Sequence, residues 1–293
     1  MKMDKDSTNR LDVTAFSEKK VKINDIYMNY AEAGRGDPIV LIHGWTNNWI
    51  GFVPVAKELL EKYRVILVDL PGYGGSDRLE KYSMEIEAGY VKLFLEKLDI
   101  ENCTLVGHSM GGYVVAKCYQ NFPNSMARIV LVGGVFKKNN KERTLKISHK
   151  LYSLAKRHEK IRDLMNRIIK RKSYSYFTAK LINMYKFDKN IIDLYGAIEY
   201  KNVCKRVYVE LGEEAMRDET RIEEMIKNNS VPMLLIFGKY DKIANLAQAR
   251  ACLEGKGDYQ YAEIDESGHI VTVEKPKEVA QAIETFIVGN KIS

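Results

Sequence analysis

The chain has 293 residues, 46 Lys and Arg against 39 Asp and Glu, a formal charge of +7 at pH 7 and an apolar fraction of 45%. That length suits one large α/β domain with room for an insertion, and the apolar content excludes a disordered chain. Residues 1–20 are polar and charged, without the apolar stretch of a signal peptide, and no later run reaches the roughly 18 to 20 apolar residues of a membrane span. A soluble, cytoplasmic protein is expected.

In chain order, Val21–Ile23 and Ile26–Ala31 read as strands of a hairpin around Asn24-Asp25. Pro38–Ile42 is a buried strand ending at His43-Gly44, followed by a helix over Val53–Tyr63 and a strand over Val65–Val68 that ends at Asp69. Ser83 is placed to cap a helix reaching about Leu98, with Glu85 and Glu87 near its positive end. The strand Thr104–Val106 runs into Gly107-His108-Ser109-Met110-Gly111, and a helix continues to about Phe122. Ile129–Val132 is the next strand. After a long interruption come a strand at Met233–Phe237, a helix at Asn245–Leu253, a strand at Tyr259–Ile264 and a helix from about Pro276 to Val288. Strands alternating with amphipathic helices predict a mainly parallel sheet flanked by helices.

The interruption carries most of the charge. Between Phe136 and Arg206 lie 20 Lys and Arg against 6 Asp and Glu, so the remainder is net acidic. Ile147, Leu151, Leu154, His158, Ile161, Met165 and Ile168 recur at helical spacing, which predicts one apolar face with cations on the other. The expected organisation is a core formed by residues 1–135 and 227–293, divided by a basic helical lid over 136–226. The cations admit several readings: a solvated outer face, a dock for an acidic partner such as an acyl carrier protein, or a surface for anionic lipid. Nucleic acid is not expected, since no recognition motif accompanies them. The four cysteines have no paired spacing and read as reduced core thiols.

Chemistry concentrates at residues 107–111. A G-x-S-x-G segment between a strand and a helix is a nucleophile elbow, with glycines where side chains would crowd the turn. A serine hydroxyl needs a base within hydrogen-bond reach, and the base needs an orienting acid. Of five histidines, His43 and His108 belong to the motifs after the strands Pro38–Ile42 and Thr104–Val106, His149 and His158 fall in the insertion, and His269 follows a late strand. Asp241 follows the strand Met233–Phe237; Asp265 and Glu266 compete with it but sit too close in sequence to His269. Ser109, Asp241 and His269 are therefore the candidate triad. The backbone N–H groups of Met110 and Trp45 are the candidate oxyanion donors; because that role uses the backbone, the Trp45 indole can pack against the pocket wall or line the acyl site. The glycines of Asp69–Ser76 lack the Lys-Ser/Thr ending of a phosphate loop and read as a tight turn.

His43-Gly44-Trp45, Asp69–Ser76, Gly107–Gly112, Gly238–Asp241 and Ser267-Gly268-His269, in that order, make the chain resemble the α/β-hydrolase superfamily. Within it the chain is similar to carboxylesterases related to pimeloyl-carrier-protein methyl ester esterase, and to C–C hydrolases of aromatic ring cleavage. Serine at 109 looks like the esterase branch, because epoxide hydrolases and haloalkane dehalogenases place aspartate there. The resemblance implies an α/β-hydrolase fold, a helical lid and ester hydrolysis through an acyl-enzyme, with no metal or cofactor. C–C hydrolysis or acyl transfer by the same residues, and ligand binding without catalysis, remain the alternatives.

Overall fold

The computed structural model describes residues 12–136, 142–193, 203–216 and 222–290, with side chains from residue 148 onward in the second segment. Eight strands form one sheet: β1 (Ser17–Ile23), β2 (Ile26–Ala33), β3 (Pro38–Ile42), β4 (Arg64–Val68), β5 (Thr104–His108), β6 (Arg128–Val132), β7 (Met233–Gly238) and β8 (Gln260–Ile264). Their order is β1-β2-β4-β3-β5-β6-β7-β8. β2 runs antiparallel to both β1 and β4, and every other pairing is parallel. The hairpin turns at Asn24, whose φ of 51° suits asparagine.

The central strands are apolar on both faces because both faces are covered. Val40, Ile42, Leu105, Ile129 and Leu131 join one buried cluster, while Ile39, Leu41, Val106, Val130 and Val132 join another on the opposite face. The first face is packed by α2 (Met84–Lys97) and α3 (Met110–Asn121), the second by α1 (Val53–Lys57) and the last helix. Ser83 caps α2 as expected, its Oγ accepting from Ile86 N at 3.1 Å.

Between β6 and β7 the described residues form helices only: α4 (Glu142–Arg157), α5 (Glu159–Ile169), α6 (Lys172–Thr178) running into a π turn at Ala179–Asn183, α7 (Lys205–Ala215) and α8 (Ile222–Ile226). After β7 come α9 (Leu246–Leu253), α10 (Val271–Glu274) and α11 (Pro276–Gly289).

Two sequence expectations are corrected. The helix predicted over Val53–Tyr63 is a 3₁₀ turn at Trp49–Phe52 followed by α1 alone. Tyr63 N turns back to Leu59 O, and Arg64 N reaches Asp37 O, so the chain re-enters the sheet beside β3. The apolar stripe of the insertion is out of phase. Ile161 and Met165 pack on the core, but Leu151, Leu154 and Ile168 are exposed, and Tyr152, Ala155 and Ile169 are buried instead. His158 has extended backbone (φ −119°, ψ 111°), so α4 ends and α5 restarts with a new rotation. Ile147 lies outside the described side chains.

The Asp69–Ser76 segment is organised by one buried carboxylate. Asp69 accepts from Trp49 N at 2.8 Å, Gly75 N at 2.8 Å and Asn29 Nδ2 at 2.9 Å. Burial pushes its carboxyl up to about 6 although these donors pull it down. Asp69→Ala strands all three donors, so unfolding in urea should show a loss of about 3 kcal/mol; a loss under about 1 kcal/mol would mean that water replaces the carboxylate.

Candidate active site

Ser109 sits between the end of β5 and the start of α3 with φ 52° and ψ −114°. That backbone is costly for a residue with a side chain, and it points Oγ out of the turn. Two hydrogen bonds hold it: Ser109 N donates to Val132 O at 2.8 Å, and Gly112 N donates to Ser109 O at 2.9 Å. The neighbouring glycines are required by contact. A Cβ on Gly107 would strike Gly111 O, and one on Gly111 would strike the carbonyls of Ile42 and His43.

The structure brings the three predicted side chains together. Ser109 Oγ lies 2.8 Å from His269 Nε2, and His269 Nδ1 lies 2.8 Å from Asp241 Oδ2. The other Asp241 oxygen accepts from Ile243 N at 2.7 Å and Ala244 N at 3.0 Å. Burial alone would raise the Asp241 carboxyl, but His269 and these N–H groups hold it below its ordinary value. Asp265 and Glu266 pair instead with Lys239 and Lys275, away from the imidazole. Past β6, Gly133 turns with a φ of 59°, which favours glycine, and lies beside His269 and Asp241.

The other two buried histidines are structural. Burial lowers both His43 and His108 to about 4, so both rings are neutral near pH 7. His43 Nδ1 donates to Gly44 O at 2.8 Å, and its Nε2 accepts from Leu70 N at 3.2 Å, which ties the loop after β3 to the loop after β4. His108 Nε2 donates to the carbonyl of His269 at 2.9 Å and so holds that residue from behind.

Met110 opens α3, where an N–H has no acceptor within the helix. Trp45 follows β3, whose end abuts the elbow through Gly111. Its indole packs against the insertion. Nε1 donates to Tyr208 O at 3.1 Å, and the ring stacks on Tyr208 with centroids 4.6 Å apart. Among the described residues no group of three or more His, Cys, Asp or Glu is poised to hold a metal ion.

The sequence profile of the α/β hydrolase fold matches residues 37–276. The chain belongs to the α/β hydrolase fold family. Among its relatives is the 2-hydroxy-6-oxo-6-(2'-aminophenyl)hexa-2,4-dienoic acid hydrolase of Metapseudomonas resinovorans, 24% identical over 289 residues, 94% of this chain and 92% of that protein. Among solved structures, a thermophilic esterase from Thermogutta terrifontis superposes with a TM-score of 0.74 at 19% identity, covering 94% of this chain and all of that one. An esterase from Exiguobacterium antarcticum gives 0.74 at 20% identity, covering 93% and 100%.

In this α/β hydrolase the insertion grips the loop that carries His269. Asn183 O accepts from His269 N at 2.8 Å and from Ile270 N at 3.2 Å. Glu274 bridges the two segments, accepting from Gly268 N and from Tyr185 N, each at 2.8 Å. Tyr185 stacks on Tyr240, next to Asp241, with centroids 4.1 Å apart. Sequence reasoning missed Glu274, because its partners are backbone groups 89 and 6 residues away and no motif marks them. Glu274 is a positioning residue for His269. Glu274→Ala should slow labelling of Ser109 by a fluorophosphonate about 10- to 100-fold, while Glu274→Gln, which keeps one carbonyl acceptor, recovers most of the rate. Equal rates in wild type and Glu274→Ala would remove Glu274 from this role.

Proposed function

We propose that this α/β hydrolase cleaves a carboxylic ester or thioester of small to medium acyl size through a covalent acyl-enzyme. One observation carries the reading: the unbroken Ser109–His269–Asp241 row, with both contacts at 2.8 Å. A neutral serine hydroxyl attacks slowly unless its proton has somewhere to go. His269 Nε2 takes that proton as Ser109 Oγ bonds to the acyl carbon. Asp241, held ionised by its hydrogen bonds, stabilises the imidazolium and keeps Nδ1 protonated.

As the tetrahedral oxyanion forms, the N–H groups of Met110 and Trp45 receive it, each worth about 10²- to 10³-fold in rate. His269 then returns the proton to the departing alkoxide or thiolate. Water next gives a proton to His269 and attacks the acyl carbon, and Ser109 regains its proton as the carboxylic acid leaves. No step requires a metal or organic cofactor. The helices between β6 and β7 act as a lid. Tyr152 and Tyr208 pack on Trp45 with ring centroids 5.5 and 4.6 Å away, which ties this lid to the loop that carries one oxyanion donor.

A second reading, hydrolysis of a C–C bond next to a carbonyl, is favoured by the similarity to the dienoic acid hydrolase of Metapseudomonas resinovorans. It uses the same serine and differs in the leaving group, so product analysis separates the two.

The test is hydrolysis of p-nitrophenyl acetate and butyrate alongside fluorophosphonate labelling. Ser109→Ala should abolish labelling and lower kcat about 10⁴-fold or more. Asp241→Asn should lower kcat about 10³- to 10⁴-fold with little change in KM, because the imidazole is left in the wrong tautomer. Equal labelling of wild type and Ser109→Ala, or a wild type that turns over no ester, would sink the reading.

A further inference from the structure

The surface of the insertion combines two features that rarely share a face. Of twelve large apolar side chains exposed among the described residues, eight lie between residues 151 and 187. Leu151 and Leu154 lie on α4, Leu164 and Ile168 on α5, Phe177 on α6 and Leu181 just beyond it, each at least 43% exposed. Singly exposed leucines are ordinary, but a cluster on consecutive elements marks a surface that is covered in use.

These residues look outward together. The opposite faces of the same helices are buried at Tyr152, Ala155, Ile169, Ser175 and Ala179. α5 packs beside both α4 and α6, so their outer faces form one layer. The layer reaches the rim of the site: Lys242 Nζ donates to Leu181 O at 3.0 Å, and Tyr240 and Ile243, exposed on either side of Lys242, flank Asp241.

Cations are set among the apolar groups. Between residues 148 and 193 there are 12 Lys and Arg against 4 Asp and Glu. Lys156 is engaged by Glu213, and Lys172 and Lys189 by Asp193. Lys150, Arg157, Lys160, Arg167, Arg171 and Lys180 are exposed and make no ion pair among the described residues. Along α5, Lys160, Leu164, Arg167 and Ile168 follow one another at helical spacing on the exposed side, and Arg171 is exposed just beyond its end.

We propose that this outer layer docks the protein on an anionic phospholipid bilayer, with Leu164, Ile168, Phe177 and Leu181 entering the headgroup region and Arg167, Arg171, Lys160 and Lys180 meeting lipid phosphates. A basic helix face with Leu and Phe at its centre has the character of an interfacial surface. An acidic protein would satisfy the cations, but it has no need of so many protruding aliphatic groups. This docking is independent of the chemistry assigned to Ser109.

The experiment is co-sedimentation of the full chain with phosphatidylcholine vesicles containing about 30 mol% phosphatidylglycerol, compared with pure phosphatidylcholine, at about 50 mM and about 500 mM salt. Binding is expected to the anionic vesicles at low salt and to weaken at high salt. Arg167→Gln/Arg171→Gln should lower the partition coefficient about 30-fold, since each cation near such a surface contributes about fivefold. Leu164→Ser/Ile168→Ser should lower it about tenfold or more. Both double variants should keep the wild-type melting temperature and the wild-type rate of Ser109 labelling, which separates lost docking from lost folding. Absence of wild-type binding at low salt would overturn the proposal, as would binding unchanged in both variants. So would an apolar double variant that binds vesicles like wild type while the cationic one loses affinity for an acidic carrier protein.

Discussion

The backbone turn at residue 109 constrains everything around it. A left-handed serine between a strand and a helix costs about 1 to 3 kcal/mol and persists only where its surroundings leave no alternative. Here β5 is hydrogen-bonded between β3 and β6, and α3 is buried along most of its length. The close approach at Gly111 brings the end of β3 against the elbow, and the bond from Ser109 N to Val132 O fixes the end of β6 beside it. Parallel pairing then carries the register outward, with Val132 opposite Ile236 and Gly238 opposite Ile264. The loops holding Trp45, Asp241 and His269 therefore leave the sheet along one rim.

Electrostatics at that rim separates two carboxyl groups that serve the same imidazole. Asp241 is held ionised by His269 and two backbone donors. Glu274 is pushed the other way by burial and by the nearby charge of Asp241. The first is suited to balance a positive imidazole, while the second has its oxygens committed to main-chain N–H groups of two segments. His43 and His108 stay neutral in the same region because they are buried, so neither adds a cation next to His269.

The parts of this arrangement legible in the sequence share a physical origin. Strands β3, β5, β6 and β7 are short, largely apolar runs closed by Gly or His, and burial on both faces leaves no competing pattern. Ser109 and Asp241 each follow such a run and His269 follows the edge strand β8, so the topology of the fold brings them to one rim. The insertion was less legible. Spacing showed that α4 and α5 are helices, but the break at His158 resets the rotation, and the leucines counted towards the core face water. The helix expected to Tyr63 stops at Lys57, because the route back into β4 outweighs local propensity. Glu274 and the Tyr208 contact to Trp45 join residues distant in the chain through backbone atoms, which leave no trace in residue type.

Among the contacts that fasten the insertion to the core, two groups differ in how close they come to His269. On one side α7 holds the start of α2: Glu210 accepts from Tyr82 N at 2.7 Å, Glu214 accepts from Met84 N at 2.9 Å, and Cys204 N donates to Gly72 O at 2.9 Å. These contacts touch neither Ser109, His269 nor Asp241. On the other side Asn183 and Tyr185 hold the His269 loop itself. Lifting the whole insertion would remove the acceptor of His269 N and loosen the imidazole at the moment it is needed. Movement confined to α4, α5 and α7 breaks carboxylate and aromatic contacts and leaves residues 183–185 in place. The contacts that position the His269 loop, at residues 183–185, are thus separate from those by which α7 holds Trp45 and the start of α2.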